Sequence, residues 1–230
     1  MNIAVRNFNL CPPKLDLDMN QDQARENMIK QQVRTWEVTD PKVVALMYKF
    51  PREEFVPASW RELAYSDTNI VINDSSCMLF PGMEARMLQA LDVQPGERVL
   101  ELGTGCAYMT ALLADLSGNV ISLDTTDSVQ PGIRENLGNV QFETGSVIDG
   151  WQDKGSFDVI VLNGSVQSIP ANLLEMLNVG GRLFAVVGDQ PVMSATLITC
   201  NADRSLREEV LFETSLPRLE SAEQEDIFNF

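Results

Sequence analysis

Short apolar runs alternate with helical patterns through the second half of the chain. The apolar runs predict β-strands at residues 98–102, 119–124, 139–144, 157–163 and 181–187. Regular alternation of strands and helices is typical of a parallel sheet with helices on both faces and right-handed crossovers. Two later apolar runs, 196–199 and 210–213, flank a short polar turn near Asp203 and predict an antiparallel hairpin at the end of the sheet.

The first part of the chain shows helical periodicity instead. From Asn20 onward, apolar residues recur with the spacing of one helix face. A second helix is predicted where Thr39 or Asp40 can cap a first turn that contains Pro41. A third helix is predicted over residues 81–91, opening at a proline. These helices precede the predicted sheet and therefore form an N-terminal extension to it.

A glycine-rich turn follows the first predicted strand of the sheet. Gly103 and Gly105 allow the backbone to turn sharply and to approach a ligand closely, which a Cβ atom would obstruct. The helix that follows presents unpaired N–H groups and the positive end of its dipole to this turn. Asp124 ends the next apolar run, at about the spacing where an acid meets ribose hydroxyls in a βαβ unit. The turn therefore predicts a nucleoside-binding site.

Two residues indicate which nucleoside the turn accepts. A dinucleotide motif requires a third glycine where this chain has Tyr108, so a nucleotide-dependent reductase is disfavoured. Glu101, just ahead of the first glycine, is poorly suited to a pyrophosphate but can attract an ammonium or a sulfonium group. An acid, two spaced glycines and a strand-terminal acid form the pattern of S-adenosylmethionine methyltransferases. The alternative is a tight turn without a ligand.

Composition bounds the kind of protein and its partners. The chain has 230 residues, of which 44% are hydrophobic and 22% are charged, as in an ordinary globular domain with a sizeable core. Lysine and arginine number 17 against 33 acidic residues, so the formal net charge is −16. Because phosphate binding needs a positive surface, this balance argues against nucleic acid as a partner.

Histidine is absent and the cysteines are scattered. The chain therefore lacks the commonest general base and the commonest metal ligand. Cys11, Cys77, Cys106 and Cys200 form no Cys-x-x-Cys pair, so we expect reduced thiols rather than a zinc site or a disulfide framework. The N-terminus lacks the design of a signal peptide, and no apolar run approaches the length of a membrane span. We expect a cytoplasmic protein with no metal and no membrane partner.

Seven short segments, in order, resemble the protein-L-isoaspartyl O-methyltransferase family between about residues 24 and 219. The segments are residues 38–43, 51–57, 64–67, 98–105, 150–151, 157–161 and 180–183. The N-terminal segments and their spacing separate this family from methyltransferases at large. The resemblance implies a Rossmann-like class I S-adenosylmethionine methyltransferase fold, with parallel strands ending in an antiparallel hairpin and with added N-terminal helices.

The sequence patterns and the resemblance together give a division of the chain and a set of cofactor-binding residues. The division is an arm at 1–19, a helical extension with the acceptor-side loop at 20–95, the S-adenosylmethionine-binding domain at 96–219 and an acidic tail at 220–230. The implied cofactor-binding residues are Glu101, Gly103, Thr104, Gly105, Asp124, Thr125, Ser146, Val147 and Asn163. Ser146 replaces the family's acid that meets the adenine amino group, and a serine makes that hydrogen bond more weakly.

The acceptor-side loop departs from the family pattern. Family members carry Gly-x-Gly-Gln-Thr-Ile-Ser-x-Pro, whose hydroxyls lie beside the methyl donor and the acceptor carboxylate, where this chain has residues 73–81. Cys77 replaces the threonine and is a weak donor, while Leu79 replaces the serine and has no polar group. Asp74 would repel a carboxylate if it pointed inward. We therefore assign no catalytic residue and expect methylation of isoaspartyl peptides to be weak or absent.

Two functions follow from this combination of a kept cofactor motif and an altered loop. The first is S-adenosylmethionine-dependent O-methylation of a protein or small-molecule carboxylate. A carboxylate is ionised at neutral pH and needs no base, whereas a phenol or an amine would need one, for which Asp74, Glu84 and Asp189 are the available type. The second is a paralogue that binds the cofactor without turnover and acts as an interaction protein. The acceptor and the oligomeric state stay open.

Overall fold

The computed structural model describes residues 17–73 and 76–219, with side chains from residue 20 onward. The predicted N-terminal arm lies outside the described residues except for residues 17–19, which begin the first helix. The predicted acidic tail at 220–230 lies outside them entirely. Among the described residues no helix is long and apolar enough to cross a membrane.

Helices and short turns make up the N-terminal extension. Helix α1 (Leu17–Met28) continues into a π-helical turn (Ile29–Val33) and a 3-10 turn (Arg34–Trp36), and α2 spans Pro41–Lys49. The Asp40 carboxylate caps α2 by accepting a hydrogen bond from the Lys42 N–H over 2.8 Å, as the sequence predicted. After 3-10 turns at Arg52–Glu54 and Ala58–Leu63, strands β1 (Ile70–Val71) and β2 (Cys77–Met78) pair antiparallel, and α3 spans Pro81–Leu91.

The remainder forms a sheet of seven strands within the described residues. In chain order its elements are β3 (Val99–Leu102), α4 (Tyr108–Ser117), β4 (Val120–Asp124), α5 (Pro131–Asn136), β5 (Val140–Thr144), β6 (Phe157–Val166), α6 (Ala171–Glu175), β7 (Leu177–Val187), β8 (Met193–Cys200) and β9 (Leu206–Thr214). The strands lie in the order β5-β4-β3-β6-β7-β8-β9. The first five are parallel, and β8 and β9 are antiparallel to their neighbours. The predicted fold class is confirmed.

Two buried clusters cover the two faces of the sheet. The larger one joins β3, α4 and the N-terminal helices, and it includes Met47, Met83 and Tyr108. The smaller one surrounds Trp151, which is 1% exposed and donates its indole N–H to the Val147 carbonyl over 3.0 Å. The N-terminal extension therefore packs onto the sheet as part of one core and not as a separate lobe.

Strand β6 runs three residues beyond the predicted end at Asn163. The predicted strand ends there because the apolar run is followed by the polar and small residues Asn163, Gly164 and Ser165. In the structure β6 shifts its register against β7 at this point and resumes pairing at Ser165. The C-terminal segment supports the extension, since the Ser165 N–H donates to the Pro217 carbonyl and the Leu219 N–H donates to the Ser165 carbonyl, each over 2.9 Å.

Candidate functional site

The glycine turn after β3 adopts the left-handed backbone that its sequence predicted. Gly103 has φ +92° and Gly105 has φ +53°. A Cβ atom on Gly103 would lie 3.0 Å from Leu219 Cδ2 and 3.4 Å from Asn163 Cβ. The residue before α4, Ala107, is also left-handed with φ +65°, and it supplies no side-chain cap to the helix. Glycine at position 103 is therefore required both by its conformation and by the space around it.

A cleft joins this turn to the acceptor-side loop. It opens to solvent, and about 530 Å³ of space lies within it when the open solvent at its mouth is included. Of the predicted cofactor-binding residues, those that line it are Gly103, Thr104, Gly105, Asp124, Val147 and Asn163. The acceptor-side and neighbouring residues that line it are Ser76, Cys77, Met78, Leu79, Glu84, Cys106, Tyr108, Met109 and Leu219. Donor and acceptor halves therefore share one cavity.

Asp124 is held at the carboxyl end of β4 by two backbone groups. Its Oδ2 accepts the Gly105 N–H and its Oδ1 accepts the Thr125 N–H, each over 2.8 Å. The residue is 9% exposed, and it lines the cleft. A carboxylate has about four acceptor positions, so Asp124 keeps lone pairs for further donors. Thr125 contacts Asp124 and does not itself line the cleft.

Glu101 lies behind the turn and does not line the cleft. It is fully buried, and its carboxylate accepts hydrogen bonds from Thr110 Oγ1 over 2.5 Å, Ser122 Oγ over 2.6 Å and Asn163 Nδ2 over 2.7 Å. Burial raises the pKa of this carboxyl to about 7, against the three hydrogen bonds that lower it. The structure thus places Glu101 where it acts on the cleft through Asn163, rather than facing a cationic ligand directly.

Asn163 connects Glu101 to the glycine turn and presents an acceptor to the cleft. Its Nδ2 also donates to the Gly103 carbonyl over 2.9 Å, which fixes the orientation of the side chain. Within the described part of the chain, its buried Oδ1 has no hydrogen-bond partner. Ser146 stands next to Val147 without lining the cleft, and its Oγ accepts the Ile148 N–H over 3.3 Å.

The acceptor-side loop brings no free polar side chain from Cys77 or Leu79. The Cys77 thiol lines the cleft, and burial raises its pKa to about 11, so the thiol is protonated at neutral pH. Leu79 is 3% exposed. Asp74, the residue expected to repel a carboxylate if it pointed inward, lies outside the described residues.

A buried ion pair that sequence reasoning missed holds the loop in place. Arg52 is fully buried and pairs with Glu84, and it donates to the Ala64 and Leu79 carbonyls, each over 2.7 Å. The Leu79 backbone lies close enough to the Glu84 carboxylate to lower its pKa. Burial raises the pKa of the Glu84 carboxyl, and the Arg52 guanidinium opposes this rise. The Leu79 carbonyl is therefore held by Arg52, and the Leu79 backbone also lies beside the Glu84 carboxylate.

Of the three acids considered as bases, Glu84 lines the cleft. It does so while engaged with Arg52 and the loop backbone, so it serves first to position Leu79. Asp189 instead pairs with Arg218 over 2.5 Å outside the cleft. The Arg52–Glu84 pair had one signal in the sequence, since Arg52 belongs to a family-like segment. Nothing local to either residue linked the two across 32 positions.

Comparisons with known proteins agree with this geometry. The family model for protein-L-isoaspartate(D-aspartate) O-methyltransferase matches residues 23–216. Protein-L-isoaspartate O-methyltransferase 2 of Pelobacter propionicus is 36% identical over 183 residues, covering 77% of this chain and 81% of that protein. Protein-L-isoaspartate O-methyltransferase of Syntrophus aciditrophicus is 35% identical over 180 residues, covering 76% and 83%.

A solved structure shows the same fold. It is a Plasmodium falciparum protein assigned to this family and solved in complex with S-adenosyl-L-homocysteine. It superposes with a TM-score of 0.72 over 87% of this chain and 98% of that chain, at 21% identity. The extent of the family match and the identity to its curated members settle the relationship. The chain belongs to the protein-L-isoaspartate(D-aspartate) O-methyltransferase family and is an S-adenosylmethionine-dependent methyltransferase.

Proposed function

We propose that this methyltransferase acts on a carboxylate of a protein or small molecule, and that it methylates isoaspartyl peptides weakly or not at all. The observation that carries the proposal is the acceptor half of the cleft. Cys77 and Leu79 line it at the positions of the family's threonine and serine, and the Arg52–Glu84 pair holds Leu79 there. The fold of the donor half is kept while the side chains facing the acceptor have changed.

The residues of the donor half fit S-adenosylmethionine. Asp124 keeps lone pairs that can accept ribose hydroxyls. The unpartnered Oδ1 of Asn163 can accept a hydrogen bond from the ammonium group of the methionine part. Val147 supplies an apolar wall beside Ser146. The S-adenosyl-L-homocysteine held by the Plasmodium falciparum relative supports this assignment.

Positioning accounts for the catalysis that we propose. The cofactor supplies an electrophilic methyl group on a sulfonium. The chain's own residues would hold the acceptor in line with that methyl group, and such positioning can supply a large part of the acceleration. A carboxylate acceptor is already ionised at neutral pH, so no general base is needed. The Cys77 thiol stays protonated and is a poor competing nucleophile.

The test combines cofactor binding with methyl transfer to an isoaspartyl peptide. We expect calorimetry to detect S-adenosylhomocysteine, and we expect the wild-type protein to transfer little methyl to the peptide. The double variant Cys77→Thr/Leu79→Ser should gain activity, because each hydrogen bond to a charged acceptor contributes about 1.5–3 kcal/mol. Two such bonds correspond to roughly two to four powers of ten in rate, and the lower figure suits residues that share one loop.

The controls separate the competing interpretations. Ordinary family-level turnover by the wild type would refute the altered-acceptor proposal. Cofactor binding without methyl transfer to any acceptor would favour the alternative, a paralogue that binds the cofactor without turnover and acts as an interaction protein. We place the protein in the cytoplasm, with a protein or small-molecule carboxylate as its partner. The scattered cysteines support that placement.

A further inference from the structure

The hydroxyl of Ser76 is buried in the wall of the cleft. Its backbone is engaged, since its N–H donates to Asn73 Oδ1 over 2.8 Å and its carbonyl accepts the N–H groups of Ile72 and Asn73 over 3.0 and 3.3 Å. Across residues 17–73 and 76–219, by contrast, Ser76 Oγ finds no partner. Buried polar groups are normally satisfied, so this unpaired hydroxyl points to a ligand.

Ser76 belongs to the acceptor-side loop and lies beside the glycine turn. A Cβ atom built on Gly105 would lie 3.9 Å from Ser76 Oγ, so the hydroxyl faces the turn. The other hydroxyls that line the cleft are engaged. Thr104 shares a hydrogen bond of 2.6 Å with Ser122, and the Tyr108 hydroxyl lies 3.4 Å from Met47 Sδ. Ser76 therefore offers the cleft a donor that those hydroxyls do not.

Two features near Ser76 favour an anionic oxygen as its partner, against the carboxylates of Asp124 and Glu84 that also line the cleft. Helix α4 begins at Tyr108, which lines the cleft, and it has no side-chain cap. The start of a helix carries positive partial charge and unpaired N–H groups, and both attract anions. On the acceptor side the neighbouring Cys77 is a protonated thiol and a weak donor. A carboxylate in this part of the cleft would find its strongest side-chain donor in Ser76.

We propose that Ser76 donates a hydrogen bond to the carboxylate of the methyl acceptor. The inference rests on the proposed function and adds a binding residue to it. The hydroxyl that the family supplies from the positions of Cys77 and Leu79 is supplied here from the position just before them. The methionine carboxylate of the cofactor has the same chemistry and is the other source of such an oxygen, so the experiment must separate the two.

Three variants test the assignment. Ser76→Ala removes the hydroxyl, Ser76→Thr keeps it, and Ser59→Ala makes the same change at an exposed serine. Each variant is titrated with S-adenosylhomocysteine and with 5′-methylthioadenosine, which lacks the methionine carboxylate. Each is also assayed for methyl transfer to an isoaspartyl peptide and for binding of that peptide when saturated with S-adenosylhomocysteine. Thermal unfolding without ligand completes the set.

We expect Ser76→Ala to bind S-adenosylhomocysteine like the wild type and to lose about 10- to 100-fold in transfer to the peptide or in affinity for it. Ser76→Thr should retain most of both. The unfolding temperature of Ser76→Ala should not fall, because no bond is lost in the free protein. If Ser76→Ala instead weakens the binding of S-adenosylhomocysteine but not that of methylthioadenosine, the acceptor assignment is overturned. Ser76 would then bind the carboxylate of the cofactor.

Other outcomes overturn the assignment. Ser76→Ala behaving like Ser59→Ala with every ligand that the wild type binds would do so. A clear fall in the unfolding temperature of Ser76→Ala would show a structural role. The proposed function fails separately, if the wild-type protein binds no S-adenosylhomocysteine at all, and the assignment of Ser76 then falls with it.

Discussion

Replacing Glu101 with glutamine should remove a pH dependence from the stability of the protein. Glu101 is fully buried, and its three hydrogen-bond donors are the neutral side chains of Thr110, Ser122 and Asn163. Burial raises its pKa from the ordinary value of 4.5 to about 7. In the unfolded chain the same carboxyl titrates near its ordinary pKa. Between these two values the folded protein holds a proton that the unfolded chain has released.

The sign and size of the effect follow from this difference. Each pH unit between the two pKa values corresponds to about 1.4 kcal/mol of unfolding free energy. The stabilisation from Glu101 is therefore fully present below pH 4.5, and about 3 kcal/mol of it is lost as the pH rises to about 7. Above that pH the folded and unfolded states both carry the charge, and the contribution from this group becomes constant.

Urea unfolding of the wild type and Glu101→Gln between pH 4.5 and 8 measures this contribution. The variant should fold, because the hydroxyls of Thr110 and Ser122 can accept a hydrogen bond from the new amide as readily as they donate to a carboxylate. The difference in unfolding free energy between the two proteins should change by about 3 kcal/mol across the interval. The exposed control Glu175→Gln should follow the wild type. Parallel curves for wild type and Glu101→Gln would refute the reasoning.

Three further predictions concern the donor half of the cleft. Asp124→Ala should weaken S-adenosylhomocysteine by about 10- to 100-fold in calorimetry through lost ribose hydrogen bonds, whereas the exposed control Asp127→Ala should not. Unchanged affinity would show that another residue binds the ribose. Gly103→Val should abolish binding, since its Cβ atom would lie 3.0 Å from Leu219 Cδ2 at a φ of +92°. Ala107→Gly should instead raise the unfolding temperature, because it relieves the strain of a left-handed alanine. If Gly103→Val and Ala107→Gly both bind S-adenosylhomocysteine like the parent, the argument about the glycine turn is wrong.

The elements that sequence could predict are those set by local signals. The α2 cap at Asp40, the start of α3 at Pro81 and the strand ending at Asp124 each depend on a few consecutive residues. The glycine turn belongs to the same class. A φ of +92°, as at Gly103, favours glycine, so the glycines in the sequence indicate the turn. For these features a single chain carries enough information.

Contacts between distant segments are not indicated by any short run of consecutive residues. All four residues of β3 are buried, so the strand shows no alternation that would place the side chain of Glu101 behind the turn instead of in the cleft. The pairing of Arg52 with Glu84 depends on how the N-terminal turns pack against α3. The unpaired hydroxyl of Ser76 likewise results from the fold around it. Predicting each of these three features requires knowledge of how the helices and strands are arranged in space.

The two halves of the cleft are built from different parts of the fold, and this explains how one can change without the other. The donor half comes from the carboxyl ends of β3, β4 and β6, where Glu101 and Asn163 brace the turn from behind. The acceptor half is a loop whose backbone is held at the Leu79 carbonyl by Arg52, which pairs with Glu84. Because backbone groups make those contacts, the side chain at position 79 can change while the loop keeps its place. The loop can therefore lose its family hydroxyls and leave the glycine turn intact.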